Sequence, residues 1–164
     1  MNTIKKLIII LPSGKITGPT KGAVAIVNSL PKNFQITIFV LKETTEIASL
    51  LNKKIEIYCL SNKSFFNKFL FIKKYLYQNK QKEKQISFSM GFSADILNGI
   101  LKKHAYIVSS VRGNLILNYK NTYGILGNFL AVFHLVYLRR FDAVTSMSKS
   151  MSKQITKYIG QKPY

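Results

Sequence analysis

Ile107-Val108-Ser109-Ser110-Val111-Arg112-Gly113-Asn114 is a β-branched run that breaks straight into a cation, a glycine and an amide. The run reads as a buried strand, and the break puts Arg112 and Asn114 at its carboxyl end. In an open parallel α/β sheet that edge is where ligands bind, because strand ends and helix N-termini leave backbone N–H groups unpaired and facing a shared crevice. Outward from this stretch the same pattern repeats. Short apolar, β-branched runs recur at 6–11, 35–41, 54–60, 85–90, 105–111 and 143–147. Helical periodicities fill the gaps at 21–30, 43–52, 64–81, 93–102, 123–140 and 149–159. Strand and helix alternating with short connections predict an α/β fold, a Rossmann-like parallel sheet of about six strands with helices on both faces. At 164 residues the chain suits a single domain spanning 1–164.

Composition narrows the function. Apolar residues make up 47% and charged ones 19%, so the chain is no disordered tail, and its net charge of +19 arises from missing acids rather than surplus bases. The only carboxylates are Glu43, Glu46, Glu56, Glu83, Asp95 and Asp142. Hydrolytic acid–base chemistry commonly needs a matched carboxyl pair or a carboxylate that orients a histidine, and this chain offers little for either. The positive charge attracts polyanions: nucleic acid, an anionic membrane face or a phosphorylated substrate. No recognition helix, zinc site or aromatic β-platform supports nucleic acid as the partner. The lone Cys59 reads as a small buried hydrophobe in a reducing compartment, with no disulfide or cysteine metal site. His104 reads as a surface residue and His134 as a core histidine; neither has ligand-spaced partners, so no metal is expected.

Two apolar stretches invite a membrane reading. Lys5-Lys6 followed by Leu7-Ile8-Ile9-Ile10-Leu11 is too short for a signal peptide and is expected to be the first buried strand. The stretch 125–138 is interrupted by Gly127, Asn128 and His134, falls short of a bilayer span and is expected to be a core helix.

The loop after the first strand, Pro12 to Gly22, has Thr20 as the expected N-cap of the helix that follows. Its glycines, Gly14, Gly18 and Gly22, lie four apart, which matches neither a dinucleotide fingerprint nor a P-loop. It is either an ordinary strand-to-helix turn or a loop whose Gly18, Lys21 and Gly22 let phosphate or sugar hydroxyls approach the backbone. In the helix from Ser64, Phe65, Phe69, Ile72 and Leu76 form one stripe. Phe66, Leu70 and Tyr77 form a second, flanked by Lys73 and Lys74 and followed by Lys80, Lys82 and Lys84. The second stripe is either part of a broad core face or a contact with an anionic membrane. Asp95 falls in a helix's first turn, where a carboxylate offsets the dipole, and Asp142 opens a strand on the edge opposite the crevice.

Four segments together resemble the N-terminal half of a GT-B glycosyltransferase of the retaining family 4. They are Leu7 to Gly22, the strand 86–90 leading into Gly91-Phe92-Ser93-Ala94-Asp95, the turn Ser109-Ser110-Val111-Arg112-Gly113-Asn114, and Arg139-Arg140-Phe141-Asp142-Ala143-Val144-Thr145-Ser146-Met147-Ser148. In the last, Arg139, Asp142 and Ser148 match the family's Arg-x-x-Asp-x-x-x-x-x-Ser pattern, which ends in a serine that opens a helix. Many members carry a histidine where Arg112 stands, and a subset carries arginine followed by asparagine. The resemblance implies a sugar transferase whose acceptor-binding residues are Gly18, Lys21, Gly22, Ser93, Asp95, Arg112 and Asn114. It implies a lipid-linked saccharide or surface-polysaccharide precursor as acceptor, on the inner face of the cell membrane. No cofactor belongs to this half. The nucleotide-sugar donor is expected on the family's C-terminal half, as a further domain or partner subunit, because the chain stops near where the interdomain linker begins. By itself the domain is then expected to be inactive, a fragment or split-subunit binding module.

Overall fold

The structure is a computed structural model that describes residues 5–31, 33–43, 46–52, 55–78, 85–160 and 163–164. The expected runs form strands β1 (Lys5–Leu11), β2 (Phe34–Val40), β3 (Glu56–Cys59), β4 (Ile86–Ser89), β5 (Tyr106–Val111) and β6 (Ala143–Ser146). Between and after them lie helices α1 (Gly18–Ser29), α2 (Phe65–Gln78), α3 (Phe92–Ile100), α4 (Leu115–Tyr123), α5 (Ile125–Tyr137) and α6 (Lys149–Ile159). All pairings are parallel and the strand order is β3-β2-β1-β4-β5-β6, a Rossmann-like sheet.

Leu7 to Leu11 shows no polar alternation because β1 is central and covered on both faces. Its side chains divide between two cores. Leu7, Ile9 and Leu11 pack with Ile38, Val40 and Ala23 of α1, while Ile8 and Ile10 pack with Phe39, Ile72 of α2 and Leu97 of α3. A third cluster joins Ile107, Val111 and Val144 to Leu135 of α5 and Ile155 of α6. The chain leaves β1 through α1 to β2 on one side and β4 through α3 to β5 on the other, so the order reverses between β1 and β4. At such a reversal the two connections splay apart and open a crevice at the strands' carboxyl ends.

Several expectations are corrected. Of the helix expected over 43–52, residues 44 and 45 lie outside the described residues, and the described ones form a single 3-10 turn, Ile47–Leu50, which has no side-chain cap and buries only Ile47. The single helix expected over 123–140 is two. Gly124, at φ 61°, breaks the chain before α5, and α4 precedes it, opened by Asn114. Thr20 does not cap α1: the helix starts earlier, after Thr17, and the buried Thr20 hydroxyl donates to the Lys15 carbonyl at 2.6 Å. Cys59 is exposed rather than buried, because β3 is a short outer strand that the helices cover only in part. The stretch 125–138 is not simply core, since only one face of α5 is buried. Lys80, Lys82 and Lys84 lie outside the described residues. Among the described residues no helix is long and apolar enough to cross a membrane.

Each fully buried aliphatic side chain contributes about 1.5–3 kcal/mol by leaving water. That stabilisation is densest around β1, where Ile9, Ile10 and Leu11 have no accessible surface, and thinnest at β3. In amide hydrogen exchange, the N–H groups of Ile8 to Ile10 are expected to open only with global unfolding, and those of Ile57 and Tyr58 to exchange at least roughly tenfold faster. Equal protection in the two strands would contradict this assignment of the core.

Candidate functional site

The crevice is built by three chain turns at the carboxyl ends of β1, β4 and β5. The turn from β4 to α3 is the tightest: Gly91 alone makes it, at φ 98°, a conformation that a side chain would strain. The turn from β5 is opened by Asn114, whose Oδ1 accepts from Leu117 N at 3.1 Å and so caps α4. The loop after β1 is tied to the segment following β2 by Gly14 N to the Glu43 carbonyl (2.6 Å), Lys15 to the Glu43 carboxylate (2.8 Å) and Ile16 N to the Glu46 carboxylate (3.0 Å). Between these turns lies a cavity of about 260 Å³ whose wall includes Pro19, Phe92, Asp95, Arg112, Tyr119 and His134.

Its floor is a buried polar network centred on Asp95. The Oδ1 atom accepts from the hydroxyls of Ser89 (2.6 Å) and Ser109 (2.8 Å), and Oδ2 lies 2.8 Å from Nε2 of His134. Asn98 donates to Ser89 Oγ and to the Ser87 carbonyl, both at 3.0 Å. Tyr119 Oη stands 2.9 Å from Nδ1 of His134, and burial, then the negative charge of Asp95, pushes that phenol well above its ordinary range. Tyr119 therefore keeps its proton, and one imidazole nitrogen shares a hydrogen bond with its hydroxyl while the other shares one with the carboxylate. Both imidazole nitrogens are thereby committed, and with His134 and Asp95 each only 1% exposed, neither is placed to take a substrate proton. The network fixes the wall of the cavity.

Arg112 is its counterpart at the mouth. Among the described residues no ion pair includes it, and its buried Nε has no hydrogen-bond partner. Burial without a compensating charge lowers its pKa from the ordinary guanidinium value, yet the group stays cationic at physiological pH. The guanidinium lies directly on the backbone of Gly22, where any Cβ would collide with it. Gly22 thus serves as a seat for the arginine.

The structure brings Gly22, Asp95 and Arg112 together and leaves the other expected residues nearer the rim or occupied. Gly18 begins α1 with open space around it, Lys21 is exposed one turn on, and Ser93 is half-buried in the first turn of α3. Asn114 is held as a cap and by Gln154, whose Nε2 donates to it at 2.6 Å. His134 is the buried histidine expected, but its link to Asp95, and Tyr119 with it, is not legible in the sequence because no local spacing connects them to Asp95, which lies 39 and 24 positions away. Among the described residues no cluster of His, Cys, Asp and Glu could hold a metal.

The three residues of the Arg139, Asp142 and Ser148 spacing all have architectural work. Arg139 Nε donates to the Tyr158 carbonyl (2.8 Å), Asp142 Oδ2 accepts from Ile107 N at the opposite edge of the sheet (2.8 Å), and Ser148 Oγ caps α6 by accepting from Met151 N (3.2 Å). No protein-family model matches the chain, and no curated protein matches it either.

The two charged groups differ in what their loss leaves behind. Asp95→Ala strands two hydroxyls and an imidazole in the core and is expected to destabilise by about 3–5 kcal/mol. Arg112→Met removes a half-desolvated cation that pairs with nothing and is expected to leave stability within about 1 kcal/mol or raise it. Urea denaturation midpoints measure both, and a large loss from Arg112→Met would make the arginine a structural residue.

Proposed function

We propose that this chain is the acceptor-binding half of a GT-B sugar transferase of the retaining family 4 kind. It works at the cytoplasmic membrane face on a lipid-linked saccharide or surface-polysaccharide precursor. The observation that carries this reading is the uncompensated Arg112 guanidinium, seated on Gly22 at the carboxyl edge of a doubly wound sheet. A guanidinium held this way offers a planar fork to a phosphate or to adjacent sugar hydroxyls. The phosphate that joins a saccharide to its lipid is such a ligand. In this reading Gly18 and Lys21 at the start of α1, and Ser93 at the start of α3, supply the further contacts to sugar hydroxyls or phosphate.

The scarcity of carboxylates fits the chemistry. A retaining transfer through an oxocarbenium-like transition state relies on positioned dipoles and cations, and the donor's departing diphosphate assists acceptor deprotonation. The donor nucleotide-sugar and the groups around its phosphates belong to a C-terminal domain or partner subunit. The outer stripe of α2 supports a membrane setting: Phe66 and Tyr77 are 64% and 72% exposed, Leu70 is exposed, and Lys73 and Lys74 stand beside them.

Joined to a nucleotide-sugar-binding C-terminal domain, the chain is expected to transfer sugar to a lipid-diphosphate-linked saccharide, followed by nucleotide release. Arg112→Ala is expected to lower kcat/KM by roughly 10²-fold. Turnover indifferent to that change would take the guanidinium out of the site and this reading with it.

A further inference from the structure

Helix α5, Ile-Leu-Gly-Asn-Phe-Leu-Ala-Val-Phe-His-Leu-Val-Tyr over 125–137, is apolar on both of its faces. Gly127, Ala131, His134 and Leu135 point inward and are buried. At 100° per residue the remaining apolar side chains sweep the opposite arc, and they are open: Ile125 79%, Leu126 70% and Phe129 71% exposed, with Phe133 and Val136 continuing the surface to the helix's far end. Leu117 and Tyr123 of α4 extend it further. An apolar surface running the length of a helix is far more than the scattered exposure usual on a soluble domain.

Charge indicates what covers it. Helices α2, α4 and α5 contain no acidic residue, and the single acid of α3, Asp95, is buried in the network. Lys120 precedes the exposed arc, and Arg139 with Arg140 follows it. α5 shares a face of the sheet with α2 and α3, because His134 and Asp95 meet over Ser89, which pairs in register with Ile10 of the α2–α3 core. The lysine-flanked aromatic stripe of α2 therefore stands on the same side. A second copy would bring another +19 against this surface, whereas an anionic surface would neutralise it. With 13 residues, α5 is about 20 Å long against a hydrocarbon core of about 30 Å, so it lies along a bilayer rather than through it.

We propose that the outer face of α5 seats this protein on an anionic phospholipid bilayer, embedded in the plane of the interface with Lys120, Arg139 and Arg140 at the headgroups. The seat lies on the side of α5 away from the buried His134, meets the crevice wall where Phe133 packs on Phe92, and requires no transferase chemistry; it assigns the deeper apolar insertion to α5 rather than α2.

The test uses the full chain and vesicles that carry no saccharide, so its result is independent of acceptor recognition. Flotation with phosphatidylcholine vesicles containing phosphatidylglycerol should recover the protein, and recovery should fall at least roughly tenfold with phosphatidylcholine alone or with Phe129→Glu/Phe133→Glu. The substituted side chains are exposed, and circular dichroism checks that the variant folds. Because the chain has no tryptophan, Phe129→Trp supplies a single indole, whose emission should be quenched by brominated acyl chains. Equal recovery of wild type and the double variant, equal recovery with and without phosphatidylglycerol, or an unquenched indole would overturn the proposal. So would a lipid-free dimer that Phe129→Glu/Phe133→Glu disperses, since the face would then belong to a second copy.

Discussion

One carboxylate ties together the elements that form the crevice. Asp95 sits on α3, accepts from β4 through Ser89 and from β5 through Ser109, and meets α5 through His134. A charge buried this deeply is tolerable only when its oxygens are saturated with donors, which fixes the four elements in one relative placement. The positions of Tyr119, of the α4–α5 pair and of the cavity wall follow from it. Arg112 is held differently, by contact with the backbone of Gly22, and it keeps its hydrogen-bonding capacity.

The shortage of acids shapes the rest of the surface. Glu43 is engaged with Lys15 and Asp142 with Lys102, both in exposed or half-exposed pairs of small energetic weight, while Asp95 is withdrawn into the core. Little negative charge remains to balance the lysines and arginines, and among the described residues no ion pair engages Arg112 at the crevice mouth or Lys73, Lys74 and Lys120 on the α2–α5 face. In the proposed reading those cations meet anions at two places: a phosphate-bearing ligand at Arg112, and a lipid surface beneath the helices. A common bilayer would serve both, since an acceptor anchored in lipid is concentrated where the protein is seated.

Local signals made most of the sheet legible. The apolar runs of β1, β2 and β5 are long and β-branched, and a strand buried on both faces leaves that signature whatever its neighbours are. Where the reading failed, competing geometry prevailed. The described residues of the 43–52 pattern form one 3-10 turn, and Gly124 interrupts what reads as a continuous helix. Asn114 was legible as a residue of the strand end, but its role as a cap depends on α4, a short helix that buries only Leu115 and runs up to the break at Gly124. Of the site, Arg112 and Gly22 were legible because strand ends and glycine-bearing loops are local features, whereas Asp95 read locally only as a first-turn carboxylate and entered the site through the family resemblance. His134 and Tyr119 were not legible as its partners, because they reach Asp95 only once α4 and α5 fold over α3.

The amino-acid sequence by itself determined the alternation of strands and helices, the parallel sheet that follows from it, the positive charge and the placing of a cation at a strand's carboxyl end. These rest on periodicity and composition, which act within a few residues. Tertiary structure alone decided that Gly22 would seat Arg112, that Asp95 would meet His134, and that α5 would bury one apolar face while leaving the other open. Each of these depends on which elements pack together, and an apolar helix carries no mark of which side the sheet will cover.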